Sequence, residues 1–424
     1  MLGVGLDWAE AFHVAALGRP QTGVTELRRV EHTPAGLRGL IERIRILEPD
    51  PAQVRVVVET RHGLLIDALL AAGFTVLPVN PDLVARRRGP AGKKDDPEDA
   101  RICCLLAIDP HTALRPLVAH SPLAAELRSI ARDDARLGQD QRRLLNRLRA
   151  DLLAVFPAAL QISDGADLNR TTLLRLLAQW PSATALATVG RAELVALARR
   201  GKHRYPERFA DRVLAALGAE QLTVRDELAR AKADTIALTA TQLLAIHTQR
   251  QSWERRMGQL LLGAPRVGRA RQPRQPTEGF PGGEIYLSFP GLGDRLTARV
   301  AGEIGDDISQ FTSPNALQCY AGRAPVTRRS GRSEYVVCRR LAFNHFLGEA
   351  VQHWAFCSLR TSAWAREFYA SQRHRGKSHN AALRALGNRW LEVLWHCLHR
   401  GVPYDEATHT ANRQRASQRH RAVA

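Results

Sequence analysis

Apolar and polar positions follow two different rhythms along this chain, and the change between them divides it. Residues 1 to about 115 carry short apolar runs separated by helical patterns. Leu2 to Leu6 reads as a strand, Phe12 to Leu17 as its hairpin partner, and Val24 to Val30 as a third strand. Leu37, Leu40, Ile41, Ile44 and Leu47 recur at helical spacing. Val54 to Val58 is β-branched except at Arg55, the pattern of a largely buried strand. A helix over Leu64 to Ala72, a strand over Phe74 to Val79 and a helix opening near Pro97 follow.

From 116 to 262 the rhythm is helical throughout. Leu123, Leu127, Ile130, Leu137, Leu144, Leu148 and Leu152 fall at heptad-like steps, with arginines between them, until Pro157. Shorter helices are predicted over Thr171 to Gln179, Ala192 to Arg200 and Glu207 to Leu217. A second long helix runs from about Val224 to Leu262, with Val224, Leu228, Ala231, Thr235 and Leu238 on one seam and Leu243, Ile246, Trp253, Met257 and Leu260 in a second register. Two long amphipathic helices predict a coiled-coil arm that helps the protein oligomerise; an intramolecular bundle is the alternative. Residues 263–284 are rich in Pro, Gly and Arg and read as a linker. Residues 285–410 hold Trp354, Trp364, Trp390 and Trp395 and predict a further core. Residues 411–424 read as a mobile basic tail. The N-terminal order of three strands, then helix, strand, helix, strand and helix predicts a mixed sheet with helices on its faces, a ribonuclease-H-like layout.

Charge narrows the function. Lys and Arg number 61 against 42 Asp and Glu, a formal net charge of +19. Such an excess favours a polyanionic partner, and nucleic acid is the commonest. No stretch is apolar enough for a membrane span. Met1 to Asp7 does not resemble a secretion signal, so a cytoplasmic location is expected. The six cysteines, Cys103, Cys104, Cys319, Cys338, Cys357 and Cys397, form no zinc-like spacing. Neither a structural zinc nor disulfides are expected.

Acidic residues stand where chemistry could use them. Asp7 ends the first strand and Glu59 ends the fourth. Asp96 and Asp99 are three residues apart on a helix and face the same way; Asp95 and Asp99 also share a face. Asp96 before Pro97 equally suits a helix N-cap. Converging carboxylates repel one another unless a cation joins them, and hard oxygen ligands suit Mg²⁺, in pairs for phosphoryl transfer. Further on, Pro290-Gly291-Leu292-Gly293 reads as a helix-hairpin-helix turn, where glycines let backbone N–H groups approach phosphate. Ser330 lies among Arg328, Arg329 and Arg332, which could hold a phosphate beside its hydroxyl; a solvated hairpin is the plain alternative, and Ser333 is a second hydroxyl nearby.

These residues resemble the transposases of insertion-sequence family 110, the DEDD transposases, which are similar to pilin-gene invertases. The resemblance rests on Gly5-Leu6-Asp7, Glu59, Val79-Asn80-Pro81, Lys94 with Asp96, Asp99 and Ala100, and Asn146-Arg147-Leu148 before Pro157. It continues through Pro290-Gly291-Leu292-Gly293, Tyr320-Ala321-Gly322, Pro325, Ser330-Gly331 and Arg375 to His379. It implies a RuvC-like N-terminal domain in which Asp7, Glu59, Asp96 and Asp99 bind Mg²⁺, with two ions expected. It implies that Ser330 attacks DNA and becomes joined to it. It implies a coiled coil supporting a dimer or tetramer, in which one protomer's serine joins another's acidic cluster. It also implies a structured bridge RNA that pairs with donor and target DNA, on a bacterial, nucleoid-associated protein. Gly291, Gly293, Arg328, Arg329, Arg332, Arg339 and Arg340 are the nucleic-acid-binding candidates. Where the family carries Lys-x-Gly-Asn after the serine, this chain offers Arg339-Arg340 and Asn344.

Overall fold

A computed structural model describes the chain except for residues 61–62, 89–94, 113, 118–120, 164–166, 221–223, 264–278, 331–332, 338–339, 341–342 and 424. Contacts divide it into two units, Met1–Ala119 and His120–Ala424. The first is built on β1 (Leu2–Asp7), β2 (Phe12–Arg19), β3 (Gly23–Glu31), α1 (Pro34–Leu47), β4 (Val54–Val58), α2 (Leu64–Ala71), β5 (Thr75–Pro78), α3 (Pro81–Arg88) and α4 (Asp96–Ile108). The sheet order is β3-β2-β1-β4-β5. β1, β2 and β3 form antiparallel hairpins, whereas β4 and β5 run parallel to β1 and need helical crossovers.

The two-residue period of the strands sorts their side chains. Leu2, Val4, Leu6, Val54, Val56 and Val58 pack with Leu40 and Ile44 of α1 and with Leu65 and Ile66 of α2. Val57 and Leu77 turn the other way and meet Val84 of α3 and Ile102, Cys103 and Ala107 of α4. Helices therefore cover both faces, which explains the near-continuous apolar run in β4. The sequence pattern did not predict α3: its one buried residue is Val84, so it carries no amphipathic period.

The second unit begins with α5 (Pro122–Val155), followed by α6 (Ala158–Ile162), α7 (Thr171–Gln179), α8 (Ala183–Ala187), α9 (Arg191–Arg200), α10 (Pro206–Gly218) and α11 (Asp226–Leu262). α5 and α11 pack along each other within the chain. The second register of the predicted seam is buried at Leu243, Met257 and Leu260, but the first is not the inward face. Leu228 and Leu238 are 48% and 59% exposed, whereas Ile236, Ala240 and Leu243 are buried. Polar pairs cross between the helices. Arg250 donates to both Asp134 carboxylate oxygens at 2.8 and 3.1 Å and to Gln141 at 2.6 Å, and Lys232 bonds Asp151 at 2.5 Å. Leu148, Phe156, Leu174, Phe209 and Leu243 share one core with the short helices.

The rest of the unit is α12 (Gly283–Leu287), α13 (Asp294–Ile304), α14 (Pro314–Tyr320), β6 (Val326–Ser330), β7 (Ser333–Val337), α15 (His345–Ser358), α16 (Ala363–His374), α17 (His379–Arg400) and α18 (Glu406–Val423). Its core centres on Trp354 and Trp390, stacked with centroids 5.5 Å apart, with the Trp364 ring edge-on to Trp390 at 4.7 Å. Most of the predicted linker lies outside the described residues. Its described end is folded rather than a free linker: Phe280 is buried, its N–H donates to the Leu260 carbonyl at 2.9 Å, and α12 begins at Gly283. The predicted tail is instead helical: α18 is built from Ala, Arg and Gln, which favour helix, and its Arg413 guanidinium lies 5.4 Å from the Trp364 ring centre. Cys103 and Cys104 are buried beneath the sheet, and Cys338 lies outside the described residues.

Candidate active site

The acidic residues meet because two glycines let a helix lie on a strand. Gly3, Gly5 and Asp7 alternate with the apolar residues of β1 and so face α4. A Cβ on Gly5 would stand 2.1 Å from both the Ala100 carbonyl oxygen and the Cys104 nitrogen; one on Gly3 would stand 2.2 Å from the Ile108 side chain. α4 is therefore seated at backbone distance, which only glycine allows. Leu6 pairs with Val58 in parallel register, so Asp7 and Glu59 follow one step further along neighbouring strands. Asp96 opens α4 and Asp99 lies on its buried side.

The electrostatics record the crowding. The Asp7 carboxyl is pushed up to about 6, first by burial, then by the charges of Asp96, Asp99 and Glu59, and by a hydrogen bond shared with Asp96. Asp95 is the N-cap of α4 and makes no side-chain capping bond; it is Asp96, not Asp95, whose charge and hydrogen bond act on Asp7. The cap predicted at Asp96 falls one residue earlier. Asp99 is gripped by Arg88, whose Nε donates to Oδ1 at 2.9 Å while Nη2 reaches the same oxygen. Arg88 also feels Glu59 and Asp7, and the Asp99 bond holds its guanidinium more firmly in the charged form.

Among the described residues, no three His, Cys, Asp or Glu side chains already stand close enough to hold a metal ion. The donor set nevertheless fits one. It is made of hard oxygens, and its members raise the proton affinity of Asp7, a strain that a divalent cation relieves.

The second candidate region is a hairpin. Ser330 is the last residue of β6 and pairs with Ser333, the first of β7; Arg328 pairs with Tyr335 and Arg329 with Glu334. Arg332 and Arg339 lie outside the described residues. Arg340 Nη2 donates to Cys319 Sγ at 3.4 Å. A polar knot closes the root of this excursion. Asn344 N–H donates to the Tyr320 carbonyl at 2.8 Å, and its side-chain amide donates to Glu303 and to the Tyr320 hydroxyl, each at 2.8 Å. Glu303 is buried and takes two bonds from Arg132 at 2.6 and 2.9 Å. In the glycine turn, Gly291 has φ +84° and a Cβ there would lie 2.6 Å from Ser358 N, so packing against α15 itself demands glycine. Gly293 is the exposed N-cap of α13 with open space around it.

Comparison with known proteins decides the family. A DEDD transposase model for IS110 matches residues 4–157, and the model "Transposase IS116/IS110/IS902 family" matches residues 283–370. The "Mini-circle putative transposase for IS117" of Streptomyces coelicolor is 35% identical, covering 95% of each chain. The chain belongs to the IS110/IS116/IS902 family of transposases. It is also similar to the "Insertion element IS900 uncharacterized 42 kDa protein" of Mycobacterium paratuberculosis, 29% identical over 96% of this chain and 98% of that one. The "Insertion element IS110 uncharacterized 43.6 kDa protein" of Streptomyces coelicolor is 28% identical over 88% and 91%.

As an IS110-family transposase the protein is a DNA-processing enzyme. No helix among its described residues is long and apolar enough to cross a membrane. Its matched N-terminal stretch contains all four converging carboxylates, and its matched C-terminal stretch contains the serine hairpin and the knot at its root. Arg88 belongs to the acidic cluster yet is absent from the sequence-derived candidates. Its only signal was the run Arg86-Arg87-Arg88, which reads as a solvated helix end.

Proposed function

We propose that this transposase excises and inserts its element by phosphoryl transfer, using Asp7, Glu59, Asp96 and Asp99 as a RuvC-like Mg²⁺ site and Ser330 as the nucleophile. The observation that carries the reading is the seating of α4 on Gly3 and Gly5, which brings Asp96 and Asp99 to Asp7 and Glu59. The sheet order, with a parallel pair joined to an antiparallel hairpin, supports the RuvC-like assignment. When bound, a pair of Mg²⁺ ions would stabilise charge on the attacking and leaving oxygens.

The roles of the chain's own residues follow from their chemistry. The Ser330 hydroxyl loses its proton to water and its oxygen bonds to phosphorus, while a DNA oxygen leaves with the electron pair and takes up a proton from water. The serine ester keeps the phosphate activated for a second DNA hydroxyl to rejoin. Arg328, Arg329 and Arg332 offset charge on the scissile phosphate. Gly291, Gly293, Arg339 and Arg340 contact nucleic-acid backbone, while a bridge RNA supplies sequence by base pairing. The protein works as a dimer or tetramer in the bacterial cytoplasm, at the nucleoid.

Amplification across joined element ends, in cells carrying the gene with its flanking DNA, tests this. Wild type should give an excised junction; Asp7→Ala and Ser330→Ala should give none. A junction that persists in Ser330→Ala would refute the serine and turn attention to Ser333. Cleavage without any serine-linked DNA would instead favour a RuvC-like nuclease.

A further inference from the structure

The short helices between α5 and α11 lie between the two stretches matched by the family models. The turn from α9 to α10 is the most basic feature of that segment. Residues 199–212 hold Arg199, Arg200, Lys202, Arg204, Arg208 and Arg212 against Glu207 and Asp211. Two of the cations are spoken for: Arg199 bonds Glu207 at 2.7 Å, and Arg212 has an interaction of its own. Arg200, Lys202, Arg204 and Arg208 are all exposed and form no ion pair among the described residues.

An aromatic ring lies among them. Tyr205 is 46% exposed, with the guanidinium carbons of Arg204 and Arg208 at 5.1 and 5.2 Å from its ring centre. An exposed aromatic between two cations is well suited to a flat, electron-rich partner. The loop is also rigid. Lys202 N–H donates to the Arg199 carbonyl and His203 N–H to the Ala198 carbonyl, each at 2.9 Å, the bonding of a Schellman helix end. His203 packs on Phe209 at 5.2 Å and accepts a bond from the Tyr205 N–H at 3.2 Å.

The residue at the left-handed position of this helix end is a lysine. Lys202 has φ +52°, and among the described residues it is the one non-glycine with positive φ. Glycine is the usual choice there because a side chain costs conformational energy. A cation held in strained backbone at an exposed tip points to a binding role.

We propose that the α9–α10 turn is a docking surface for single-stranded DNA. Tyr205 stacks one unpaired base, and Lys202, Arg204 and Arg208 hold the adjoining phosphates. A transposase must handle strands opened during cutting and exchange, and stacking requires a base free of its duplex. Beside these residues the inference uses only the family membership, and it is independent of the acidic quartet and of Ser330.

The test uses the full-length protein in EDTA, so that no catalysis intervenes. Affinity for a short fluorescent oligothymidine is read by anisotropy across a salt series. Tyr205→Ala should weaken binding by roughly five-fold to a hundred-fold without changing the salt slope, and Tyr205→Phe should restore it. Lys202→Gly should reduce the slope by about 0.7 while raising Tm, which separates lost contact from lost folding. An oligonucleotide carrying 5-iodouracil should crosslink to the tryptic peptide Tyr205–Arg208. Wild-type affinity and slope in all variants, with crosslinks elsewhere, would overturn the proposal. So would a defect confined to RNA, or one larger for duplex than for single strands.

Discussion

Adding one methyl group at Gly5 should dismantle the acidic site without touching an acidic residue. The new Cβ would stand 2.1 Å from two backbone atoms of α4, where ordinary contact begins at 3.4 Å. Neither atom can rotate away, so the helix must retreat by about 0.9–1.3 Å. Overpacking of this kind costs about 1–3 kcal/mol. For a unit of this size that is a fall in Tm of roughly 5–15 °C. The local consequence is sharper. Asp96 and Asp99 ride on α4, so its retreat takes their charges away from Asp7 and lets water in. Both changes lower the Asp7 pKa from about 6 towards 3.8. The assay is a carboxyl-carbon NMR titration of Asp-labelled protein beside a thermal melt. Gly39→Ala is the control: it lies in α1, nothing stands within 4 Å of its added Cβ, and it should stabilise by about 0.5–1 kcal/mol. If Gly5→Ala keeps both the wild-type melt and a high Asp7 pKa, α4 is not seated on β1 at backbone distance, and the explanation of the cluster fails.

Other consequences can be checked separately. Because Asp7 sits near 6 when folded against 3.8 for an ordinary aspartate, its ionisation costs stability progressively as pH rises through that window. Asp7→Asn should therefore melt above wild type at about pH 7.5 in EDTA, with the gap closing near pH 4; a constant gap would remove the crowding argument. Arg88→Gln takes a positive charge off Asp99 and should tighten Mn²⁺ binding measured by calorimetry, whereas unchanged affinity would mean that Arg88 does not compete with metal. Arg250→Met strands the buried Asp134 carboxylate and should cost about 3–5 kcal/mol in urea unfolding, towards the low end because Arg295 lies 3.9 Å from the same oxygen. Adding Asp134→Leu should recover most of that loss; no recovery would mean that the pair is not what the first substitution breaks.

Much of this molecule is legible locally. Strands β1, β2, β4 and β5 announce themselves as short β-branched or apolar runs, and α1, α5, α7, α9, α10 and α11 as amphipathic periods, because an element's own spacing records which face it buries. The carboxylates Asp7, Glu59, Asp96 and Asp99 could be picked out by their positions at the ends of those elements. Which face of the first half of α11 is inward could not. Apolar residues occur on several sides of it, and the core shared with α5 and the short helices takes Ile236 and Ala240 while leaving Leu228 and Leu238 exposed. Nor could the role of Arg88, in a helix with one buried residue, since only the fold brings it to Asp99 from 11 positions away. Sequence periodicity carries information about single elements, each against an averaged interior. The meeting of Asp7 with α4 depends on how closely two backbones approach and on charges brought together under low hydration, and both quantities exist only once the chain has folded.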